Sequence, residues 1–228
     1  MDPVARNSIM KIAFLTFSLL ISSYTYSQKE VKASDILDKV ASTNNGYKTI
    51  KVDYKFTSKN AQEEQSHVES GKILMKGDKY HLTLTNSDII FDGKSIYTYL
   101  NQANEINITK PEPSKVEKGE FFFSNPRDIF KGYNKNFKST LLKETNVNNI
   151  LYYEIDLVPI DLKTKYTRLK MLVQKTTYQI KDIKLFLKDG TQFILEFSNF
   201  SPNTELPDKE FVFDSKKYPN AEVNDMRF

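Results

Sequence analysis

Two histidines, His67 and His81, are the first places to look for chemistry in this chain of 228 residues. Neither sits in a His-x-x-x-His spacing, and no nearby carboxylate completes a metal-ligand motif. Both fall in alternating runs, where a strand histidine is the ordinary reading. Gly93-Lys94-Ser95 resembles the end of a phosphate-binding loop. That loop needs a glycine where Asp88 stands and a helix afterwards, whereas Ile96 begins a strand-like run. There is no Gly-x-Ser-x-Gly elbow, and seven glycines in all leave no glycine-rich cradle. The acid pairs Glu63-Glu64 and Asp208/Glu210 lie in polar stretches that read as solvated loops. A glycosidase would need two carboxylates facing each other across a cleft. Cysteine is absent, which removes a thiol nucleophile, a cysteine zinc site and a thiolate redox centre. Asn107-Ile108-Thr109 and Asn199-Phe200-Ser201 are glycosylation sequons, relevant only in a eukaryotic host. The residues therefore point to no enzyme, no metal and no cofactor.

The elements around these residues point elsewhere. Met10-Lys11 precedes an apolar run, residues 12–21, and a small polar stretch, residues 22–27, follows it. That order reads as a signal peptide cut between Ser27 and Gln28, with Thr25 and Ser27 as the small residues; Met10 is an alternative start. A spanning helix needs about 20 apolar residues, more than this run supplies. Residues 1–27 are thus expected to be a signal peptide and residues 28–228 one exported domain. Lysine and arginine number 33 against 29 acids, a net charge of +4. The signs alternate, as in Lys181-Asp182-Ile183-Lys184, which describes a solvated surface and not a nucleic-acid footprint.

Ala33, Ile36, Leu37 and Val40 mark one face of a helix that Ser34 can cap and Asn44-Asn45-Gly46 can stop. From Ile50 the period falls to 2. Val52, Tyr54 and Phe56 alternate with polar residues. So do Ile73/Met75, Tyr80/Leu82/Leu84, Ile96/Thr98/Leu100, Tyr153/Ile155/Leu157, Leu169/Met171/Val173, Ile183/Leu185/Leu187 and Phe193/Leu195/Phe197. Asp92-Gly93 and Asp189-Gly190 are hairpin signals between such runs. About ten strands in an antiparallel meander follow, either closed or strongly curved. One apolar insertion interrupts them after Lys110-Pro111-Glu112-Pro113. Phe121-Phe122-Phe123 leads to Ser124-Asn125-Pro126, a helix start with Ser124 or Asn125 as cap, and Asp128, Ile129, Phe130 and Tyr133 continue it. An insertion of this kind should cover one face of the sheet. The 16 phenylalanines and 13 tyrosines either pack a plain core or line a concave ligand face. Composition leans to the plain core, since small barrels are normally filled.

The order of motifs resembles the periplasmic outer-membrane lipoprotein carrier family, the LolA type. After the N-terminal helix comes a strand similar to residues 50–56, then a glycine-led strand similar to residues 71–76. A strand ending in Asp92-Gly93-Lys94 follows, with the aromatic pair Tyr97 and Tyr99. A Pro-started helical segment, residues 125–133, is next. The late Asp189-Gly190 hairpin leads to residues 197–200, and residues 203–213 close the pattern before a short charged end, residues 223–227. The resemblance spans nearly all of residues 28–228. One departure stands out. The family often has an Arg-Pro turn after the glycine-led strand, whose arginine helps control opening, and here Lys76-Gly77-Asp78-Lys79 occupies that place.

The resemblance implies a mainly β fold with short helices: a strongly curved antiparallel sheet, or unclosed barrel, with a helical lid over a hydrophobic cavity. It implies an acyl-chain cavity lined by Val52, Tyr54, Phe56, Ile73, Met75, Tyr80, Leu82, Ile155, Leu169, Met171, Leu185, Phe193 and Leu195. The lid would carry Phe121, Phe123, Ile129, Phe130 and Tyr133. The implied role is a soluble, monomeric periplasmic carrier that shields lipoprotein acyl chains between the inner and outer membranes. Its partners would be acylated lipoproteins and an inner-membrane ABC-type lipoprotein-releasing transporter. Two other readings stay open. One is an envelope lipid-binding or stress-sensing protein of the same superfamily. The other is an interaction module with a dry core, presenting Tyr97 and Tyr99 to solvent. With no arginine in the turn, release is expected to depend on lid packing by Phe130 and Tyr133, not on a cationic latch.

Overall fold

Alternating runs of β-branched, leucine and aromatic residues have one stable outlet, a pleated sheet with one face turned inward. A computed structural model of the chain describes residues 31–60, 66–111, 125–130, 133 and 135–228. Its contacts divide the chain after Val31. Of the first unit, Met1–Val31, only Val31 is described, and it is exposed. The expected signal peptide therefore lies outside the described residues, as do Glu63, Glu64, Phe121 and Phe123.

The second unit, Lys32–Phe228, opens with helix α1 (Ala33–Asn45). It starts two residues earlier than a cap at Ser34 requires. Lys32 is at the N-cap without a side-chain cap bond, and Ser34 lies inside the first turn, its hydroxyl on Asp35 Oδ1 at 3.4 Å. Burial of Ala33 with Ile36, Leu37 and Val40 extends the helix past its local cap signal. Strands β1 (Thr49–Lys59), β2 (His67–Lys76), β3 (Lys79–Thr83), β4 (Ser87–Phe91), β5 (Ile96–Leu100) and β6 (Glu105–Thr109) follow. After a 3₁₀ helix, Pro126–Phe130, come β7 (Phe137–Val147), β8 (Ile150–Pro159), β9 (Tyr166–Gln174), β10 (Ile180–Leu187) and β11 (Gln192–Pro202). Two further 3₁₀ turns, Asp208–Phe211 and Ser215–Lys217, lead to β12 (Glu222–Asp225).

All twelve strands form one curved sheet in the order β12-β6-β5-β4-β3-β2-β1-β11-β10-β9-β8-β7, which does not close into a barrel. The sheet is antiparallel throughout except at its edge, where β12 runs parallel to β6. The count exceeds the expected ten. Residues 87–91 and 105–109 are too short to show much alternation. The charged end at Val223 becomes a strand only because β6 offers it an unpaired edge.

Two local features fix the register. Gly71 faces Tyr54 across β1 and β2. A Cβ there would lie 1.9 Å from Thr83 O and 2.7 Å from Tyr54 Oη, so only glycine lets the ring lie over the strand. At the β4–β5 hairpin, Asp92 Oδ1 accepts from Lys94 N and Ser95 N, both at 2.8 Å, and Gly93 takes φ +100°. The residues that imitate a phosphate loop are thus an Asx-type turn.

One continuous core lies on the inner face of the sheet, and α1 and Pro126–Phe130 pack into it. A second, smaller core of Leu74, Leu206 and Phe211 lies on the opposite face. It is built by the C-terminal segment, which crosses behind β2–β6 before joining the edge as β12.

Candidate functional site

Cross-strand register gathers the expected inner-face residues into rows. In one row Ile155, Met171, Ile183, Leu195 and Phe56 are successive partners across β8, β9, β10, β11 and β1. In the next, Leu157, Leu169, Leu185 and Phe193 are partners. On the other half of the sheet, Val52, Ile73, Leu82 and Ile89 form a row, and Ile50, Met75, Tyr80 and Phe91 the neighbouring one. Tyr54 and Phe197 join the halves. Every residue expected to line the cavity belongs to this face. Phe193 is partly buried and the rest are buried.

The helical layer sits on the same face. Asn125 supplies the cap expected for the insertion: its Oδ1 accepts from Arg127 N at 3.1 Å, and Pro126 takes the first position. The five-residue segment is a 3₁₀ turn and not an α-helix, too short for the longer hydrogen-bond pattern to repeat. Ile129, Phe130 and Tyr133 are buried in the inner core. The Phe130 ring lies 5.4 Å from that of Phe197 and 6.1 Å from that of Phe200, and Tyr133 lies 6.0 Å from Phe137. Tyr133 donates its hydroxyl to Ile129 O at 2.6 Å. Asp128, also buried, stands near both Tyr80 and Tyr133. Burial, with the Asp128 charge second, pushes the Tyr80 phenol up to about 12, and the same two causes raise Tyr133. Both phenols stay neutral donors under the helical cover.

An open pocket of about 240 Å³ runs along the rim of this cover. Ile50, Met75 and Phe130 form its apolar wall, and Asn44, Lys48, Asp78 and Arg127 are among its polar residues. It is smaller than the roughly 300–1,000 Å³ usual for ligand sites. Of the expected cavity residues, Met75 alone is among its described lining, with Phe130 from the cover.

Arg127 adds a contact at the β2–β3 turn that the sequence does not reveal. The β2–β3 turn carries no arginine, yet the guanidinium of Arg127, on the covering segment, pairs with Asp78 in that turn. The charges are exchanged relative to an arginine in the turn. Neither residue stands in a recognisable motif, so the pair is invisible without the tertiary fold. Lys76 is engaged elsewhere: its Nζ donates to Leu206 O and meets Asp208 Oδ1, both at 2.9 Å, holding the C-terminal segment.

The outer face holds groups that sequence reading left unconnected. His81 Nε2 and Asp88 Oδ1 are 3.0 Å apart, and Tyr218 donates to Asp88 Oδ2 at 3.1 Å. The His81 bond, ahead of the Tyr218 bond, holds the Asp88 carboxyl below the usual carboxylate range. Tyr97 stacks on Phe213 at 4.9 Å and Phe213 on Tyr218 at 5.4 Å, and the tilted ring of Tyr218 lies 4.1 Å from that of Tyr99. Tyr97 and Tyr99 therefore do not present free rings to solvent; the C-terminal segment covers them. Among the described residues no group of acids and histidines is arranged to hold a metal.

A family model described as "Outer membrane lipoprotein carrier protein LolA" matches residues 23–118. Over this segment the chain is similar to that family. The match takes in α1, the glycine-led strand and the Asp92-Gly93 hairpin. A conserved protein of uncharacterised function from Thermus thermophilus shares the fold, with a TM-score of 0.55 at 11% identity, over 85% of this chain and 98% of that one. A LolA superfamily protein from Nitrosomonas europaea aligns over 81% of this chain and 99% of its own, at 15% identity and a TM-score of 0.41. The Mycobacterium tuberculosis lipoprotein LppX aligns over 76% and 97%, at 10% identity and 0.44. A DNA ligase of Spiroplasma citri is 29% identical over 79 residues, which are 35% of this chain and 11% of the ligase. The matched family model is described as a lipoprotein carrier, and LppX is named a lipoprotein.

Proposed function

We propose that this protein carries the acyl chains of lipoproteins across the periplasm on the inner face of its sheet. The observation that supports it is the unbroken apolar face from β3 through β1 to β8, covered among the described residues by α1 and a short segment. Covering side chains such as Phe130 and Tyr133 fill that face in the closed state, and the rim pocket is too small for a long acyl chain. Cargo therefore enters by displacing the cover. Burying about fifteen methylenes is worth on the order of 12 kcal/mol gross at ~0.8 kcal/mol each. Re-exposing Ile129, Phe130 and Tyr133 offsets part of that gain, so the acyl chain binds and is still released. Leucine and methionine in the face, Met75 and Met171 among them, adapt to chains of different shape. Cargo would come from an inner-membrane ABC-type transporter, since the chain has no nucleotide motif of its own.

The test is native mass spectrometry of the protein taken from the periplasm. Masses of co-purified acylated protein support carriage. Co-purified free lipid points to a lipid carrier of the same superfamily, and a uniformly bare chain supports a dry core. Phe56→Glu and Met75→Glu put a charge on the inner face and should exclude a fluorescent fatty-acid probe. A folded variant that binds the probe as well as the parent overturns the assignment of those residues.

A further inference from the structure

The connection between β8 and β9 holds two aliphatic side chains out in solvent on a pinned backbone. Ile160 is 53% exposed and Leu162 75%. Among the described large hydrophobics only Phe228 is more exposed than Leu162. Ile160 N donates to Asn136 O at 3.0 Å, and Asp161 Oδ1 accepts from Lys163 N at 2.9 Å. The buried Thr164 hydroxyl lies 3.2 Å from Asp161 O and 2.9 Å from Tyr166 O. Lys188, in the neighbouring β10–β11 hairpin, donates its backbone N–H to Lys165 O at 3.0 Å and its Nζ to Leu162 O at 2.7 Å. Such a loop displays Leu162 permanently, where a slack one could fold it away. Two such groups are far short of an interface patch, but they are enough to enter the outer layer of a bilayer.

The surroundings define the contact. Lys163, Lys165 and Lys188 border an open recess of about 340 Å³ with Thr164, Leu187 and Asp189. The Asp189 and Asp161 carboxylates each accept a backbone N–H of their own turn. The loop thus carries two exposed aliphatic residues together with Lys163 and Lys165, and Lys188 is bonded to its backbone. A stable protein partner needs an interface of about 1,000 Å² or more, and two residues on a protruding loop do not supply one. A bilayer requires only a tip that enters the headgroup layer and cations that meet phosphate there.

We propose that the β8–β9 loop docks on an anionic membrane surface, with Ile160 and Leu162 entering between headgroups and Lys163, Lys165 and Lys188 facing lipid phosphates. This does not rest on what the inner face carries.

The experiment is co-sedimentation of the full chain with phosphatidylcholine vesicles, with and without phosphatidylglycerol, at low and high salt. Every variant shares one N-terminus, so the apolar run at residues 12–21 cancels in the comparison. The parent should bind the anionic vesicles better, and salt should weaken that binding. Leu162→Glu should cut it at least about tenfold, and the milder Leu162→Ser by less. K163Q/K165Q/K188Q should abolish the preference for anionic vesicles. Leu142→Glu, at another exposed aliphatic on β7, should leave binding at the parent level. The proposal fails if the parent shows no anionic preference, or if Leu142→Glu weakens binding as much as Leu162→Glu. It also fails if Leu162→Glu leaves vesicle binding intact and instead dissociates a dimer in the ultracentrifuge; the tip would then face a second copy.

Discussion

Arg127 and Asp78 join the segment that covers the inner face to the β2–β3 turn at the rim of the sheet. Asp78 is 80% exposed and Arg127 31%, so the pair is wet on one side. Surface pairs of this kind contribute about 0–1 kcal/mol, and salt screens them.

The cover is accordingly held by packing more than by charge. Phe130→Ala removes a buried aromatic and should cost about 3–5 kcal/mol of stability or of cover closure. Arg127→Met should cost under about 1 kcal/mol, and its effect should fade at high salt. Urea unfolding and amide exchange of residues 126–130 measure both. Exchange there should exceed that of Ile183 and Leu185 in β10 and slow when an acyl probe binds. An Arg127→Met variant that opens the cover as far as Phe130→Ala would reverse the ranking.

Gly71→Ala should destabilise the protein by about 1–3 kcal/mol or more, because its methyl meets the backbone oxygen of Thr83 and the ring of Tyr54. Tyr54 would lose its bond to Thr83 O, now 3.3 Å. Gly46 is the matched control. It has φ −76° at the end of α1, and its nearest non-neighbouring atom to an added Cβ is 3.4 Å away. Gly46→Ala should be neutral or add about 0.4–1 kcal/mol by restricting the unfolded chain. Urea midpoints of the two variants should move in opposite directions, or only that of Gly71→Ala should move.

Acid should release the C-terminal segment. Asp88 titrates lower in the fold than in the unfolded chain, so its contribution is complete above the ordinary carboxylate pKa, about 3.9. That contribution is lost as pH falls through the lower folded value. At the other end, Tyr218 is pushed up to about 12, chiefly by burial and then by the Asp88 charge. Its contribution is complete below the ordinary phenol value of about 10 and lost as pH rises through about 12. Asp88→Asn should flatten the acid limb of a pH–stability profile, and Tyr218→Phe should reduce the alkaline limb. A profile unchanged in both would show that the segment is held without them.

Phe211 anchors that segment at 0% exposure against Leu74 and Leu206. Phe211→Ala should cost about 3–5 kcal/mol and uncover the Tyr97 and Tyr99 rings. Increased binding of an apolar dye, without loss of the β signal in circular dichroism, is the expected readout.

Sequence alone determined the type of structure and the sidedness of its strands. Alternation is a local property with period 2, so it assigns Val52, Ile73, Met171 and Leu195 to one face without knowledge of their neighbours. The Asp-Gly turns and the Asn125-Pro126 start are likewise legible, because each answers to backbone geometry within a few residues. Tertiary structure decided the rest. Arg127 and Asp78 are distant in the chain and belong to no motif, so their pairing follows only from where the cover lands. Phe213 and Tyr218 read as an unpatterned tail until the outer faces of Tyr97 and Tyr99 give them something to stack on. Residues 222–225 become a strand because an edge stands beside them, and Ser34 loses its capping place because burial of Ala33 outweighs a single hydrogen bond. In each case the deciding energy comes from a partner far along the chain, and no local window of sequence contains it.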